Sequence, residues 1–218
     1  MKLSTGRKLL VLGIVLVVID QIIKILVKTD MTLGENFNVI GNWFKILFVE
    51  NEGMAFGMKF GGAAGKFCLS TFRILLCGAL CWWIAGLCRR GTPQARKGDE
   101  NRPMVPAGVL VGLTLITAGA VGNIIDSLFY GLIFSESTMV TTAQFGGHYA
   151  PFLFGKVVDM FYFPIFTWPD WVPLLGGTLF FEPVFNFADS CVTVGAFYLI
   201  LFQWKFFAAE DDDKNQKK

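Results

Sequence analysis

The sequence predicts an all-α polytopic membrane protein: four transmembrane helices, a small β-containing extracytoplasmic region and an aromatic interfacial segment. Of its 218 residues, 54% are hydrophobic and 17% are charged, whereas soluble domains are about 25% charged. The apolar residues form four runs, each near the length of about 20 residues that a helix needs to cross the hydrocarbon core. The predicted helices are roughly residues 9–27, 67–87, 105–125 and 185–207.

The first apolar run is interpreted as a retained helix rather than a cleavable signal peptide. It follows the basic residues Lys2, Arg7 and Lys8, as a signal peptide would. However, it is longer than the roughly 7–15 residues of a signal-peptide core, and no small-residue cleavage site follows it. We therefore count it as a membrane helix and expect residues 1–218 to form a single membrane domain.

The distribution of Lys and Arg predicts the orientation, because cytoplasmic loops are enriched in these residues. Cations precede the first helix, follow the second and end the chain, whereas residues 127–184 contain one, Lys156. Both termini, the loop 88–104 and the tail 208–218 are therefore predicted to be cytoplasmic. Residues 28–66 and 127–184 are predicted to be extracytoplasmic.

The two extracytoplasmic regions differ in character. Residues 43–49 have the alternating and β-branched pattern of a strand. Residues 127–184 are rich in Phe, Tyr and Trp, which favour the membrane–water interface, and prolines interrupt every run that is long enough to cross again. We expect this region to lie along the membrane surface with a few short strands.

Ionisable residues inside apolar segments are costly, and they are usually functional or paired. Asp20 and Lys24 are four residues apart and therefore share one face of the first helix. Two interpretations stay open for them: a mutually neutralising pair, or a pair that orients a neighbouring site.

Two Asn-x-x-Asp pairs occur near the predicted outer face of the membrane. Asn123 and Asp126 end the third predicted helix, and Asn186 and Asp189 open the fourth. A spacing of three places each pair on one helix face. Helix capping would explain one such pair, but two pairs at the same depth favour a site. A further carboxylate, Asp159, is either an ordinary surface residue or a member of that site.

Aspartyl chemistry is what these residues permit. The single His148 cannot form a histidine-based zinc site alone, and the five cysteines include no CxxC pair. Two carboxylates about 3 Å apart share one proton, so one can act as base on a water molecule while the other acts as acid. We expect no metal and no organic cofactor. Spacing alone would pair Asp126 with Asp189.

Five motifs, in this order, resemble those of the lipoprotein signal peptidase (signal peptidase II) family, whose members are bacterial inner-membrane aspartyl peptidases with four helices. The resemblance covers most of the chain. The motifs are Asp20-x-x-x-Lys24, Asn51-Glu52-Gly53-Met54-Ala55-Phe56, Gly122-Asn123-Ile124-Ile125-Asp126, Val157-Val158-Asp159 and Phe185-Asn186-Phe187-Ala188-Asp189.

The resemblance implies a site and a reaction. It implies Asp159 and Asp189 as the catalytic pair, with Asp126 as a supporting residue. The other substrate-binding or supporting residues that it implies are Asp20, Lys24, Asn51, Gly53, Asn123 and Asn186. The implied reaction removes the signal peptide from a diacylglyceryl-modified prolipoprotein, on the N-terminal side of the lipidated Cys.

The resemblance also implies a location and partners. The expected location is the bacterial inner membrane, with several crossings and an active site near the outer face. The expected partners are the diacylglyceryl-prolipoprotein substrate and membrane lipid, without nucleic acid. We expect the protein to be a monomer.

The chain departs from the family pattern at two places. Ser127 stands where the family usually has Arg directly after its G-N-x-x-D motif. The interval from Asp126 to Asp159 is longer than is common in the family, which indicates an insertion at roughly residues 128–155. We expect the insertion to lengthen the surface element that lies over lipid or substrate.

Two other function classes fit membrane Asp, Lys and Asn residues. A small transporter or proton-coupled channel subunit is one, although the polar residues cluster at one face and no inverted repeat is visible. A non-enzymatic membrane assembly factor, binding partners through the aromatic region, is the other.

Overall fold

The structure is a computed structural model that describes residues 5–52, 62–90 and 105–208. A π-helical segment spans Asp126–Tyr130. The predicted site residue Gly53 and its neighbours Met54, Ala55 and Phe56 lie outside the described residues. The helices are α1 (Thr5–Asp30), α2 (Gly62–Arg90), α3 (Ala107–Ile125), α4 (Gly131–Ile133) and α5 (Phe187–Phe202). The strands are β1 (Asn36–Ile40), β2 (Phe44–Asn51), β3 (Val157–Tyr162) and β4 (Val184–Phe185).

Three of the four predicted membrane spans are found as helices long and apolar enough to cross a bilayer. The fourth predicted span corresponds to α5, which is apolar but has 16 residues, fewer than the roughly 20 of a typical span. The predicted start of this helix is two residues too early, because Val184 and Phe185 form β4 instead. The three candidate spans are Thr5–Asp30, Gly62–Arg89 and Ala107–Ile133.

The third span runs further than the sequence predicts. Asp126 does not end it, because the π-helical segment continues the helical path to Ile133. A π-helical turn adds one residue per turn and commonly marks a functional position in a helix. The side chains of Asp126, Ser127 and Tyr130 on this segment are buried.

The chain divides into two compact units, each with its own core. The helical unit comprises Met1–Val18, Arg73–Val121 and Ala188–Lys218. The sheet unit comprises Ile19–Phe72 and Gly122–Phe187. Most of the predicted site residues belong to the sheet unit, whereas Asp189 belongs to the helical unit.

Glycines allow α3 and α5 to approach closely within the helical unit. A Cβ atom at Gly119 would lie 2.2 Å from the carbonyl oxygen of Ala188, and one at Gly195 would lie 2.8 Å from that of Gly112. No larger residue fits at such distances, and small residues are a common means of helix association in membranes. The contact at Ala188 holds the first turn of α5, which contains Asp189.

The sheet unit contains an antiparallel four-stranded sheet in the order β1-β2-β3-β4. The predicted strand at residues 43–49 is confirmed as β2, whose aromatic and β-branched residues favour a pleated, half-buried surface. β3 contains the Val157-Val158-Asp159 motif. In the register of these two strands, Val49 pairs with Asp159 and Asn51 pairs with Val157.

One face of this sheet packs on the end of α1. Phe48, Val158 and Met160 are fully buried there, together with Val27 and Met31 of the α1 end. Since strand residues alternate between faces, the neighbours Val49, Val157 and Asp159 point to the other face. The sheet therefore separates an apolar core from the side that carries Asp159.

Residues of the 128–155 insertion complete that apolar core. Tyr130, Phe134 and Ala143 are buried in it. The backbone N–H of Ala143 donates to the carbonyl oxygen of Lys28 at 3.2 Å, and that of Leu33 donates to Thr138 at 2.8 Å. The insertion is therefore an integral part of the sheet unit.

Candidate active site

A buried ionic network joins α1 to the end of α3. Nζ of Lys24 lies 3.0 Å from Oδ2 of Asp20 and 2.7 Å from Oδ2 of Asp126. The Lys24 ammonium thus compensates two buried carboxylates, not only its i, i+4 neighbour. Gln21 donates to Oδ2 of Asp20 at 3.1 Å and to Oδ1 of Asp126 at 2.9 Å, and it accepts from the hydroxyl of Tyr130.

A chain of hydrogen bonds leads from this network to Asp159. Nζ of Lys24 donates to Oδ1 of Asn123 at 2.8 Å, and Nδ2 of Asn186 donates to the same oxygen at 3.1 Å. Nδ2 of Asn186 also donates to Oδ1 of Asp159 at 2.6 Å. The Asn123 oxygen accepts from both sides, which fixes the orientation of its side-chain amide. We call the series from Asp20 to Asp159 the polar relay.

Asp159 receives an amide donor on each carboxylate oxygen. Nδ2 of Asn51 donates to Oδ2 at 3.1 Å, opposite the Asn186 bond to Oδ1. The strand register explains the contact, because Asn51 is the diagonal neighbour of Asp159 on one face of the sheet. Asp159 is 3% exposed and Asn186 is fully buried.

Asp189 lies in the first turn of α5, three residues after Asn186. The chain therefore passes directly from the residue that binds Asp159 to the second predicted catalytic carboxylate.

Ser127, one of the two departures from the motif pattern noted above, is buried within the helical path. Its Oγ donates to the backbone carbonyl of Asn123 at 3.0 Å. The Ser127 side chain therefore forms its hydrogen bond with the backbone of its own helical segment. The cation beside Asp126 is Lys24 of α1.

A second buried ionic cluster, which is not evident from the sequence, comprises Lys28, Glu50, Ser137 and Lys156. Oε1 of Glu50 forms an ion pair with Lys28 and accepts from Oγ of Ser137 at 3.0 Å, while Nζ of Lys156 lies 3.2 Å from Oε2. We call it the Glu50 cluster. Its members are far apart in sequence, so no rule based on residue spacing predicts the cluster. In the sequence, Lys28 looks like an ordinary cation at the end of an apolar run.

The pKa of Glu50 reflects these partners. Burial raises the pKa, but the attraction of Lys28 and Lys156 and the hydrogen bonds from Lys28 and Ser137 outweigh that effect. The pKa of Glu50 is therefore lowered from its ordinary value, and the side chain is ionised at neutral pH.

Within residues 5–52, 62–90 and 105–208, no three or more His, Cys, Asp or Glu side chains are placed to hold a metal ion. The Lys24 ammonium occupies the space between the carboxylates of Asp20 and Asp126.

The chain is similar to known proteins over most of its length. The family model described as "Signal peptidase (SPase) II" matches residues 12–205. The chain is 44% identical over 206 residues to a lipoprotein signal peptidase of Porphyromonas gingivalis, covering 92% of this chain and 84% of that relative. It is 34% identical over 195 residues to one of Amoebophilus asiaticus, covering 87% and 75%.

The fold is also similar to that of a solved structure described as a bacterial membrane enzyme. The TM-score is 0.54 at 24% identity, and the match covers 97% of this chain and 92% of the other. At this identity the likeness concerns the fold alone. The family model spans nearly the whole chain and the relatives exceed 30% identity over most of it, so the chain belongs to the signal peptidase II family.

Proposed function

We propose that this protein is an aspartic endopeptidase that removes the signal peptide from diacylglyceryl-modified prolipoproteins, cutting on the N-terminal side of the lipidated Cys. Membership of the signal peptidase II family and the relatives named lipoprotein signal peptidase support this function. The observation that carries the catalytic assignment is the setting of Asp159. Each oxygen of this buried carboxylate accepts a hydrogen bond from a side-chain amide, one from Asn51 and the other from Asn186.

In the proposed mechanism Asp159 is the base and Asp189 is the acid. The side-chain amides of Asn51 and Asn186 each donate to one oxygen of Asp159, which holds the carboxylate in a fixed orientation for that role. Asp159 takes a proton from a water molecule as the water oxygen attacks the scissile carbonyl carbon. Asp189 donates its proton to the carbonyl oxygen, so that a neutral tetrahedral intermediate forms.

The intermediate then collapses by the reverse proton movements. The C–N bond breaks while Asp159 returns its proton to the leaving nitrogen, and the carbonyl reforms as Asp189 recovers its proton. Each carboxyl group ends in its starting state. Asn123, Lys24, Asp20 and Asp126 act by holding Asn186, and they do not touch the substrate in this scheme.

The proposed membrane placement has four crossings with both termini in the cytoplasm of a bacterial inner membrane. A 16-residue α5 spans about 24 Å, and the chain is helical again at residues 204–208, which supports a fourth crossing. The active site then lies near the outer face, where the lipid anchor of the substrate holds the scissile bond. Anchoring both molecules in one bilayer supplies proximity and orientation. We propose that a monomer suffices, since the polar relay comes from one chain.

The test is cleavage by the purified protein in lipid nanodiscs. The expected result is release of the signal peptide from a diacylglyceryl-modified prolipoprotein, and no release from the same prolipoprotein lacking the lipid. A folded protein that cleaves neither substrate would contradict the function. Solute flux in liposomes without cleavage would indicate a transporter, and binding without cleavage would indicate an assembly factor.

A further inference from the structure

The Glu50 cluster lies directly behind the residues that hold Asp159. Glu50 precedes Asn51 in β2 and pairs with Val158, which precedes Asp159 in β3. Successive residues of a strand point to opposite faces of the sheet. Glu50 and Val158 therefore face away from Asn51 and Asp159, so the cluster occupies the reverse face of the same two strands.

Three separate segments hold the Glu50 carboxylate from that reverse face. Lys28 comes from the end of α1, Ser137 from the insertion, and Lys156 from the residue before β3. Nζ of Lys28 also donates to Oγ of Ser137 at 2.9 Å. The end of β2 is therefore bound to three different segments of the chain.

The insertion closes the ion pair off from water. Nζ of Lys28 lies 5.0 Å from the ring centre of Tyr149 and 5.6 Å from that of Phe134, both in the insertion. The Lys28 side chain is fully buried and the Glu50 side chain is 3% exposed. A buried ion pair is held firmly as long as both partners are present, whereas removal of one partner leaves an uncompensated charge that forces local rearrangement.

We propose that Lys28 and Glu50 are positioning residues for the active site: their enclosed ion pair fixes the end of β2 so that the Asn51 amide stays on Asp159. This inference rests on the proposed function and deepens it, because it gives the 128–155 insertion a role. The insertion supplies the reverse wall of the site. Neither Lys28 nor Glu50 touches the substrate in this account.

Loss of the Lys28–Glu50 ion pair should change kcat more than KM. Loss of the ion pair displaces Asn51 by a fraction of an ångström, and a misplacement of about 1 Å reduces the rate by about 100-fold. We expect Glu50→Gln to lower kcat by about 10- to 100-fold per folded molecule, on the same argument. KM should change by less than about twofold, because lipid and signal-peptide contacts hold the substrate.

The experiment measures kcat and KM on diacylglyceryl-prolipoprotein in nanodiscs, normalised to folded protein by gel filtration and thermal unfolding. The variants are Glu50→Gln, Asn51→Ala and their double mutant. Glu35→Gln, which alters an exposed Glu just before β1, is the matched control and should behave as wild type. Ser137→Ala, a milder change within the cluster, covers the case in which Glu50→Gln does not fold, and it should lower kcat by about threefold or more.

The double mutant separates positioning from a general structural role. If Glu50 acts through Asn51, adding Glu50→Gln to Asn51→Ala should lower kcat no further. Fully multiplicative effects, an unchanged kcat in both cluster variants, or a raised KM with unchanged kcat would each overturn the inference. A wild-type protein that does not cleave would overturn the proposed function and the inference with it, whereas normal cleavage by the cluster variants would overturn the inference alone.

Discussion

The side-chain amide of Asn186 donates to Oδ1 of Asp159 at 2.6 Å and, from the same nitrogen, to Oδ1 of Asn123 at 3.1 Å. Asn186 is fully buried. It therefore connects the ionic network on α1 and α3 to the predicted catalytic carboxylate. It also leads the chain into α5, which carries Asp189 in its first turn.

Asn186→Ala should reduce cleavage more than Asn51→Ala. Loss of Asn186 removes a donor to Asp159 and also leaves the Asn123 oxygen with one fewer partner, whereas loss of Asn51 removes one donor to Asp159. Removal of a single catalytic-site donor commonly lowers kcat by about 100-fold. We expect about that loss for Asn186→Ala in the nanodisc assay. The control is Asn42→Ala, at an exposed turn position; equal rates for Asn186→Ala and Asn42→Ala would contradict the prediction.

Lys24→Met should destabilise the fold. Lys24 is fully buried between Asp20 and Asp126, so the substitution leaves two uncompensated carboxylates. Breaking a buried ion pair in this way costs about 3–5 kcal/mol. The measurement is the unfolding temperature in detergent, with Lys8→Met, at an exposed position of the same helix, as control. An unfolding temperature equal to that of Lys8→Met would show that the network contributes no stability.

Asp126→Asn should separate the supporting role of Asp126 from a catalytic role. The amide keeps the shape of the side chain and a hydrogen-bond acceptor for Gln21, but it weakens the contact with Lys24. We expect a lower unfolding temperature with cleavage retained within about tenfold. A folded variant as inactive as Asp189→Asn would instead favour Asp126 as the partner of Asp189.

Because of Glu50, the stability of the folded protein should depend on pH in the acidic range. Its pKa in the folded protein is lowered below the ordinary value of 4.5, so its ionised form stabilises the fold. That contribution is fully present above about pH 4.5 and is lost as the pH falls through the lowered pKa. The gap in unfolding temperature between wild type and Glu50→Gln should therefore narrow below pH 4.5. A gap that stays constant down to pH 3 would contradict this assignment.

Gly119→Val should impair both folding and cleavage. A Cβ atom at Gly119 meets the Ala188 carbonyl oxygen at 2.2 Å, so valine must push the start of α5 away and displace Asp189. The matched control is Gly78→Val in α2, where a Cβ atom meets nothing within 4 Å. Both variants have the same helix propensity, so the comparison isolates the contact. Equal unfolding temperatures and rates for the two variants would contradict the packing argument.

The sequence predicts those parts of the site that local rules control. The i, i+4 spacing of Asp20 and Lys24 places them on one helix face, and the β-branched pattern before Asn51 predicts β2. The structure confirms both. The start of α5 is less predictable, because Val184 and Phe185 are equally suited to a helix in lipid and to a strand. Only the pairing of β4 with β3 decides between these outcomes.

Contacts between distant segments are what the sequence does not reveal. Gln21 looks like one polar residue in an apolar run, although it binds both Asp20 and Asp126. Spacing alone would pair Asp126 with Asp189. In the structure, Oδ2 of Asp126 lies 2.7 Å from Nζ of Lys24, a contact that depends on how α1 and α3 pack. The Lys28–Glu50 pair follows equally from tertiary packing, which no local pattern encodes.

Asp159 and Asp189 are the residues proposed to carry out the cleavage. The most direct measurement is the rate at which Asp159→Asn and Asp189→Asn variants release the signal peptide from diacylglyceryl-prolipoprotein in nanodiscs. Asp170→Asn, at an exposed position, is the control. Each of the first two variants should stay folded and lose activity by about 1,000-fold or more, while the control should cleave normally. Wild-type rates in either Asp159→Asn or Asp189→Asn would contradict this assignment.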